Sequence, residues 1–126
     1  MDLEELINQI NKLLKDISPL LKKQLPDQNS FLISELTKLD TYYWPIMYFM
    51  AHLKEYITKI EAEKFQALDS VKKRSEKEMI IHSEIAHLIK LLEILEGAGD
   101  ALKRKISLGQ TVLRSKMGER YEPQIH

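Results

Sequence analysis

Leu3, Leu6, Ile10, Leu13, Leu14 and Ile17 recur at steps of three and four among polar residues, which places them on one face of an α-helix. Asp2, followed three residues later by Glu5, has the spacing of a capping box, so the pattern predicts a first helix over about residues 2–17. Pro19 lacks the amide hydrogen that a helix interior needs and is expected to stop or kink it. Leu25-Pro26-Asp27-Gln28-Asn29 reads as a loop. Ser30 is placed to cap a second helix through Phe31 and Leu36, and Pro45 then forces a choice between a kink and a new start. A new start near Thr41 is expected, because the first amides of a helix have no acceptor and a proline loses little there.

Beyond Pro45 the apolar positions are Ile46, Met50, Leu53, Ile57, Ile60, then Lys64, Ala67 and Val71, a heptad seam with one charged interruption. The last helix is more regular: Ile81, Ile85, Leu88, Leu92, Leu95, Gly99, Leu102, Ile106, Gly109 and Leu113 all fit one seam. A second stripe, Leu91, Ile94, Ala98, Ala101, Leu108 and Val112, runs beside it. No alternating β-branched run bounded by turns occurs. The expected fold is therefore all-α: a long, coiled-coil-like helical hairpin with shorter N-terminal helices, in one domain. Residues 1–29 form the N-terminal helices and loop, 30–77 the middle helix or helices, 78–117 the long C-terminal helix, and 118–126 a tail.

A helix over 78–117 is about 60 Å long, whereas a compact chain of 126 residues has a radius of gyration of about 14 Å. Such a rod overhangs its own domain and carries apolar surface on more than one side, which marks association between copies. A homo-oligomer is expected, with Leu92, Leu95, Gly99, Leu102, Ile106, Gly109 and Leu113 assigned to its interface. Glycine costs about 1 kcal/mol in a helix interior relative to alanine. Gly97, Gly99 and Gly109 thus need a reason: either they let two helices cross closely, or Gly97 and Gly99 break the helix and a new one starts at Asp100. The sequence leaves both open.

Composition narrows the class. With 44 % hydrophobic and 30 % charged residues the chain is a folding one, and the absence of cysteine removes disulfides and thiolate metal sites and suits a cytoplasmic protein. The opening MDLEELINQI lacks the order of a secretion signal, and the longest apolar run, WPIMYFMA, is too short to span a bilayer, so no membrane partner is expected. Formal net charge is zero but unevenly spread: residues 1–71 hold eight basic and eleven acidic side chains, residues 98–126 six basic and three acidic. A basic C-terminal element is joined to an acidic body.

Catalysis finds no footing. There is no Gly-rich phosphate loop or nucleophile elbow, and Glu84 with His87 is a single Glu-x-x-His pair where a di-iron bundle needs two. His82 and His87 point in different directions, so neither a metal nor another cofactor is expected. The cluster Tyr42-Tyr43-Trp44 with Tyr48 and Phe49 could stack bases, but basic residues are not interleaved with it, and it reads as a buried packing anchor. Basic residues fall in two groups, Lys72-Lys73-Arg74 and Lys103, Arg104, Lys105, Arg114, Lys116. Eleven residues are about three helical turns, so Lys103 aligns with Arg114 and Lys105 with Lys116 in two rails. In an assembly such rails multiply into a belt, and phosphate affinity grows with the charges neutralised.

Two segments, KIEAEKFQALDSV followed by SEKEM, and LLEILEGAGDALKRKIS, resemble the phage recombination mediators of the UvsY family in order, spacing and character. The resemblance covers residues 56–116, with Ile60, Glu61, Ala62, Lys64, Ala67 and Leu68 matching the first segment and Gly97, Asp100, Ala101, Leu102 and Lys103 the second. It departs at Asp69-Ser70-Val71, where the family carries basic residues; here Lys72-Lys73-Arg74 follow. The resemblance implies a homo-oligomeric ring that binds single-stranded DNA, displaces single-strand-binding protein and helps load a RecA/UvsX-like recombinase in a phage-infected bacterial cell. Lys72, Lys73, Arg74, Lys103, Arg104, Lys105, Arg114 and Lys116 are the expected DNA contacts. The rival expectation is a helical adaptor or inhibitor that binds another protein through an exposed apolar stripe.

Overall fold

The computed structural model describes the backbone of residues 1–68 and 73–125, with side chains over the same range except those of Glu84 and residues 117–125. Among the described residues there are three helices and no strand: α1 (Leu3–Lys22), α2 (Asn29–Ala67) and α3 (Arg74–Ile125). The all-α expectation holds.

α1 begins as its sequence predicts. The Asp2 carboxylate accepts the Glu5 amide at 2.8 Å, satisfying one of the first-turn donors. Pro19 does not end the helix. It removes one backbone bond, but its own carbonyl accepts the Lys23 amide at 3.1 Å, and only at Lys23 does the backbone turn extended. Nor does Ser30 cap α2: the helix starts at Asn29 behind Gln28, which supplies no side-chain cap, and Ser30 lies inside the first turn.

Pro45 gives the larger correction. α2 runs unbroken through it, where a new start near Thr41 is expected from the local sequence. A proline in a helix interior costs about 3 kcal/mol. Against that, Leu32, Leu36 and Leu39 before it and Ile46, Leu53 and Ile57 after it are all buried on one side. Burying one such side chain contributes about 1.5–3 kcal/mol, so a continuous seam outweighs one lost bond.

α2 and α3 form an antiparallel hairpin. A Cβ placed on Gly109 would lie 3.1 Å from Leu36 Cγ, and one on Gly99 would lie 3.1 Å from Ile46 Cγ2. Lys54 Nζ meets Glu96 Oε1 at 3.7 Å, and Lys77 Nζ sits 4.9 Å above the Phe65 ring near the tip. α3 is continuous, so neither Gly97 nor Gly99 breaks it. Gly99 and Gly109 are crossing glycines that bring α2 and α3 close; Gly97 has no side-chain neighbour within 4 Å.

The seam residues expected between copies lie inside the chain instead. Leu95, Gly99, Leu102 and Gly109 are buried, and Leu92, Ile106 and Leu113 are half-buried against the same core. One hydrophobic seam needs only one partner helix, and α2 is already tethered within reach.

α1 lies antiparallel to α2. Its N-terminal end is at Tyr56, whose hydroxyl donates to the Met1 carbonyl, and its C-terminal end is at Lys105. Leu6, Ile10, Leu13 and Ile17 are buried against the hairpin. Leu14, Ile17 and Leu21 flank Ile94 and Ala98 of α3, so α1 covers part of the second stripe. At about 1.5 Å per residue α1 is about 30 Å long, α2 about 58 Å and α3 about 78 Å. One half of the hairpin is thus a three-helix bundle and the other only two helices thick.

The shape shows in the surface. The chain exposes 9116 Å², where a compact monomer of 14.8 kDa exposes about 7,000 Å². No helix among the described residues is long and apolar enough to cross a membrane.

Candidate nucleic-acid interface

The C-terminal cations sit on α3, and their fates differ. Lys105 Nζ donates to the carbonyls of Leu20 at 2.7 Å, Leu21 at 3.2 Å, and Lys23. These oxygens belong to the last turn and cap of α1, where no amide is available to bond them. Lys116 Nζ donates in the same way to the Asp27 carbonyl. The eleven-residue alignment of Lys105 with Lys116 is therefore real, but what faces that rail is the end of α1 and the loop over 23–28. Both lysines are corrected from DNA contacts to fasteners that hold α1 and its loop on α3.

Beside Lys105, α2 contributes Glu35, which is only 8 % exposed. Its Oε2 lies 3.6 Å from Lys23 Nζ, and its Oε1 makes no hydrogen bond to a described residue. Burial lowers the Lys105 pKa below its ordinary value, Glu35 opposes that shift, and Lys23 adds to it. Between the lowered value and the ordinary one, the unfolded chain holds more protons at this site than the folded chain. This group therefore adds stability as pH rises through that window, and nothing below it, where both states are protonated. An alkaline titration of the Lys105 Cε resonance should show a midpoint below that of ordinary lysine; an unshifted midpoint would mean that burial does not outweigh the Glu35 carboxylate and the carbonyls that hold the ammonium.

Lys103, Arg104 and Arg114 are exposed. Lys103 and Arg114 project from one flank of α3, about three turns apart, while Arg104 turns about 100° away from Lys103. Lys103 borders a cleft of about 300 Å³ with Tyr43, Met47, Lys54, Glu96 and Asp100, so its surroundings mix both signs of charge. At the opposite end, Arg74 Nε pairs with Glu78 Oε1 at 3.2 Å on the surface, and Lys73 is exposed. Lys72 lies outside the described residues. Arg74 and Lys103 are separated by about 44 Å of helix, so one chain does not gather the two basic groups into one site. Among the described residues no three His, Cys, Asp or Glu side chains converge to hold a metal.

The aromatic cluster is divided rather than buried. Tyr42, Tyr43 and Phe49 are half-buried, but Trp44 is 70 % exposed and Tyr48 is 54 % exposed. Five aromatic side chains within eight consecutive residues span the full turn of a helix, so some must face away from any core. Helix period carries the signal: Ile33, Thr37, Ala51 and Glu55 lie within about 20° of Trp44 on the face of α2 away from Leu53. Met47, Lys54 and Phe65 lie nearer α3, where Met47 and Lys54 border Glu96 and Lys103 and Phe65 borders Arg74 and Glu78. Ile33, Trp44, Met47 and Phe65 are all exposed.

No protein-family model matches this chain, and no curated protein or solved structure matches it.

Proposed function

We propose that this chain is a non-enzymatic, self-associating recombination mediator of the cytoplasm, which holds single-stranded DNA through phosphate contacts and helps load a RecA/UvsX-like recombinase in place of single-strand-binding protein. The supporting observation is the exposed pair Lys103 and Arg114, set about three turns apart on one flank of a rod that has roughly 2,100 Å² more surface than a compact chain of its mass. Repeated by copies arranged side by side, that flank makes a row of cations, with Arg104 beside it. The resemblance of residues 56–116 to the UvsY family directs the choice of nucleic acid.

Labelled single strands test it. Binding should be measurable at low salt and weaken steeply as salt rises, because each phosphate neutralised releases counterions. The variant with Lys103, Arg104 and Arg114 changed to alanine should bind worse, and its log-log salt slope should be shallower by about 2, at about 0.7 per phosphate on a single strand. These side chains are exposed, so the fold is kept. No binding at low salt removes the proposal.

One observation favours a second reading, a helical adaptor or inhibitor that acts on another protein: Trp44, Met47, Tyr48 and Phe65 stand exposed on α2, and apolar groups recognise protein rather than phosphate. That reading expects no salt-dependent binding of single strands.

A further inference from the structure

The flank of α3 that carries Lys103 opens, between α2 and α3, into a cleft of about 300 Å³. The approach of Gly109 to Leu36 and of Gly99 to Ile46 fixes the register of the hairpin, and in that register Lys103 stands level with Tyr42 and Tyr43. The run Tyr42-Tyr43-Trp44 has no basic residue within it, and folding supplies one from the other helix. Tyr43 forms one wall of the cleft, and Met47 and Met50 add polarizable apolar walls. Asp100, one turn before Lys103, lies on the same cleft and is exposed. Lys54 is engaged with Glu96 at 3.7 Å, but neither Lys103 nor Asp100 makes an ion pair with a described residue. One opening thus presents an aromatic ring, a cation and a carboxylate, at the lower end of the size range of small-ligand sites, about 300–1,000 Å³.

A simple anion has no use for the ring and is opposed by the carboxylate. A nucleotide uses all three groups. We infer that this cleft takes one nucleobase of a bound single strand, of the class that carries an exocyclic amino group: cytosine, adenine or guanine. The base stacks on Tyr43, its amino group donates to the Asp100 carboxylate, and Lys103 holds a phosphate of the strand at the rim. Thymine has no amino group to donate, so a strand of thymine keeps the phosphate contact and loses the carboxylate one. The inference rests on the single-strand binding in the proposed function and adds to it a contact that reads the base.

Strands of equal length and phosphate count separate base from backbone. A deoxycytidine strand should bind at least about fivefold tighter than an abasic deoxyribose strand, because stacking is lost with the base. Their salt slopes should be equal, since the phosphate contacts are the same. The deoxycytidine strand should also bind tighter than a thymidine strand. Tyr43→Leu keeps an apolar side chain at a half-buried position and should bring the deoxycytidine strand close to the abasic one at unchanged helix content. Asp100→Ala, at an exposed position, should erase the preference for deoxycytidine over thymidine, and it decides alone if Tyr43→Leu loses helix content. If deoxycytidine and abasic strands bind alike, the cleft takes no base and the inference falls, while the phosphate reading stands. If no strand binds at low salt, both fall. A deoxycytidine preference that survives Asp100→Ala puts the base elsewhere and overturns the inference.

Discussion

Gly97→Ala should raise the melting temperature, and Gly109→Leu should lower it, although both sit in the interior of one helix. At Gly97 the backbone is helical and no side chain lies within 4 Å of where a Cβ would go, so alanine adds helix propensity at no steric cost. The gain is about 1 kcal/mol, or roughly 3–5 °C for a domain of this size. At Gly109 a Cβ already meets the Leu36 side chain, whose Cγ would lie 3.1 Å away, and a full leucine would have to push α2 aside. Overpacking of that kind costs about 3 kcal/mol. Gly99→Ala should fall between them and on the unfavourable side. Its neighbour Ile46 is fully buried, β-branched and next to Pro45, so it has little freedom to move. Thermal melts followed by circular dichroism decide the order. Equal shifts at Gly97 and Gly109 would show that α2 does not press on α3 there.

The rods and their seam were legible because a heptad is a long-range pattern that many residues repeat. Ten positions from Ile81 to Leu113 agree on one face, and the structure buries or half-buries all ten. Single-residue signals were read less well. Pro19 and Pro45 are breakers only when nothing larger opposes them, and each lies in a helix whose apolar face is packed on both sides of it. Periodicity also says which residues share a face without saying whose helix covers it. That is why Leu95, Gly99, Leu102 and Gly109, placed by spacing alone between copies, turn out to pack on α2 of their own chain. The cations follow the same logic: spacing aligns Lys105 with Lys116, but only the folded chain shows that carbonyl oxygens of Leu20, Leu21, Lys23 and Asp27 lie opposite. Trp44 was readable, since the helix period sets it opposite Leu53, but an aromatic cluster suggests a core until the helix face is drawn.

Leu102→Ala should destabilise the chain by an amount that does not depend on protein concentration, and this separates the inner seam from any contact between copies. Leu102 is fully buried among the residues of the common core, close to Gly99 where α3 packs against Ile46 of α2. Removing its branched end leaves a cavity that two long helices, already pinned by Ile46 against Gly99, cannot close by shifting. Truncations of this type cost about 2–5 kcal/mol, a large share of the stability of a domain this size. If Leu102 packs within its own chain, the urea midpoint falls by the same amount in dilute and concentrated samples. If it packed between copies, the loss would shrink as concentration rises, because mass action restores the assembly. Trp44→Ala is the contrast within one chain: little change in stability, because the side chain already faces water. A concentration-dependent loss at Leu102 would place the inner seam between molecules.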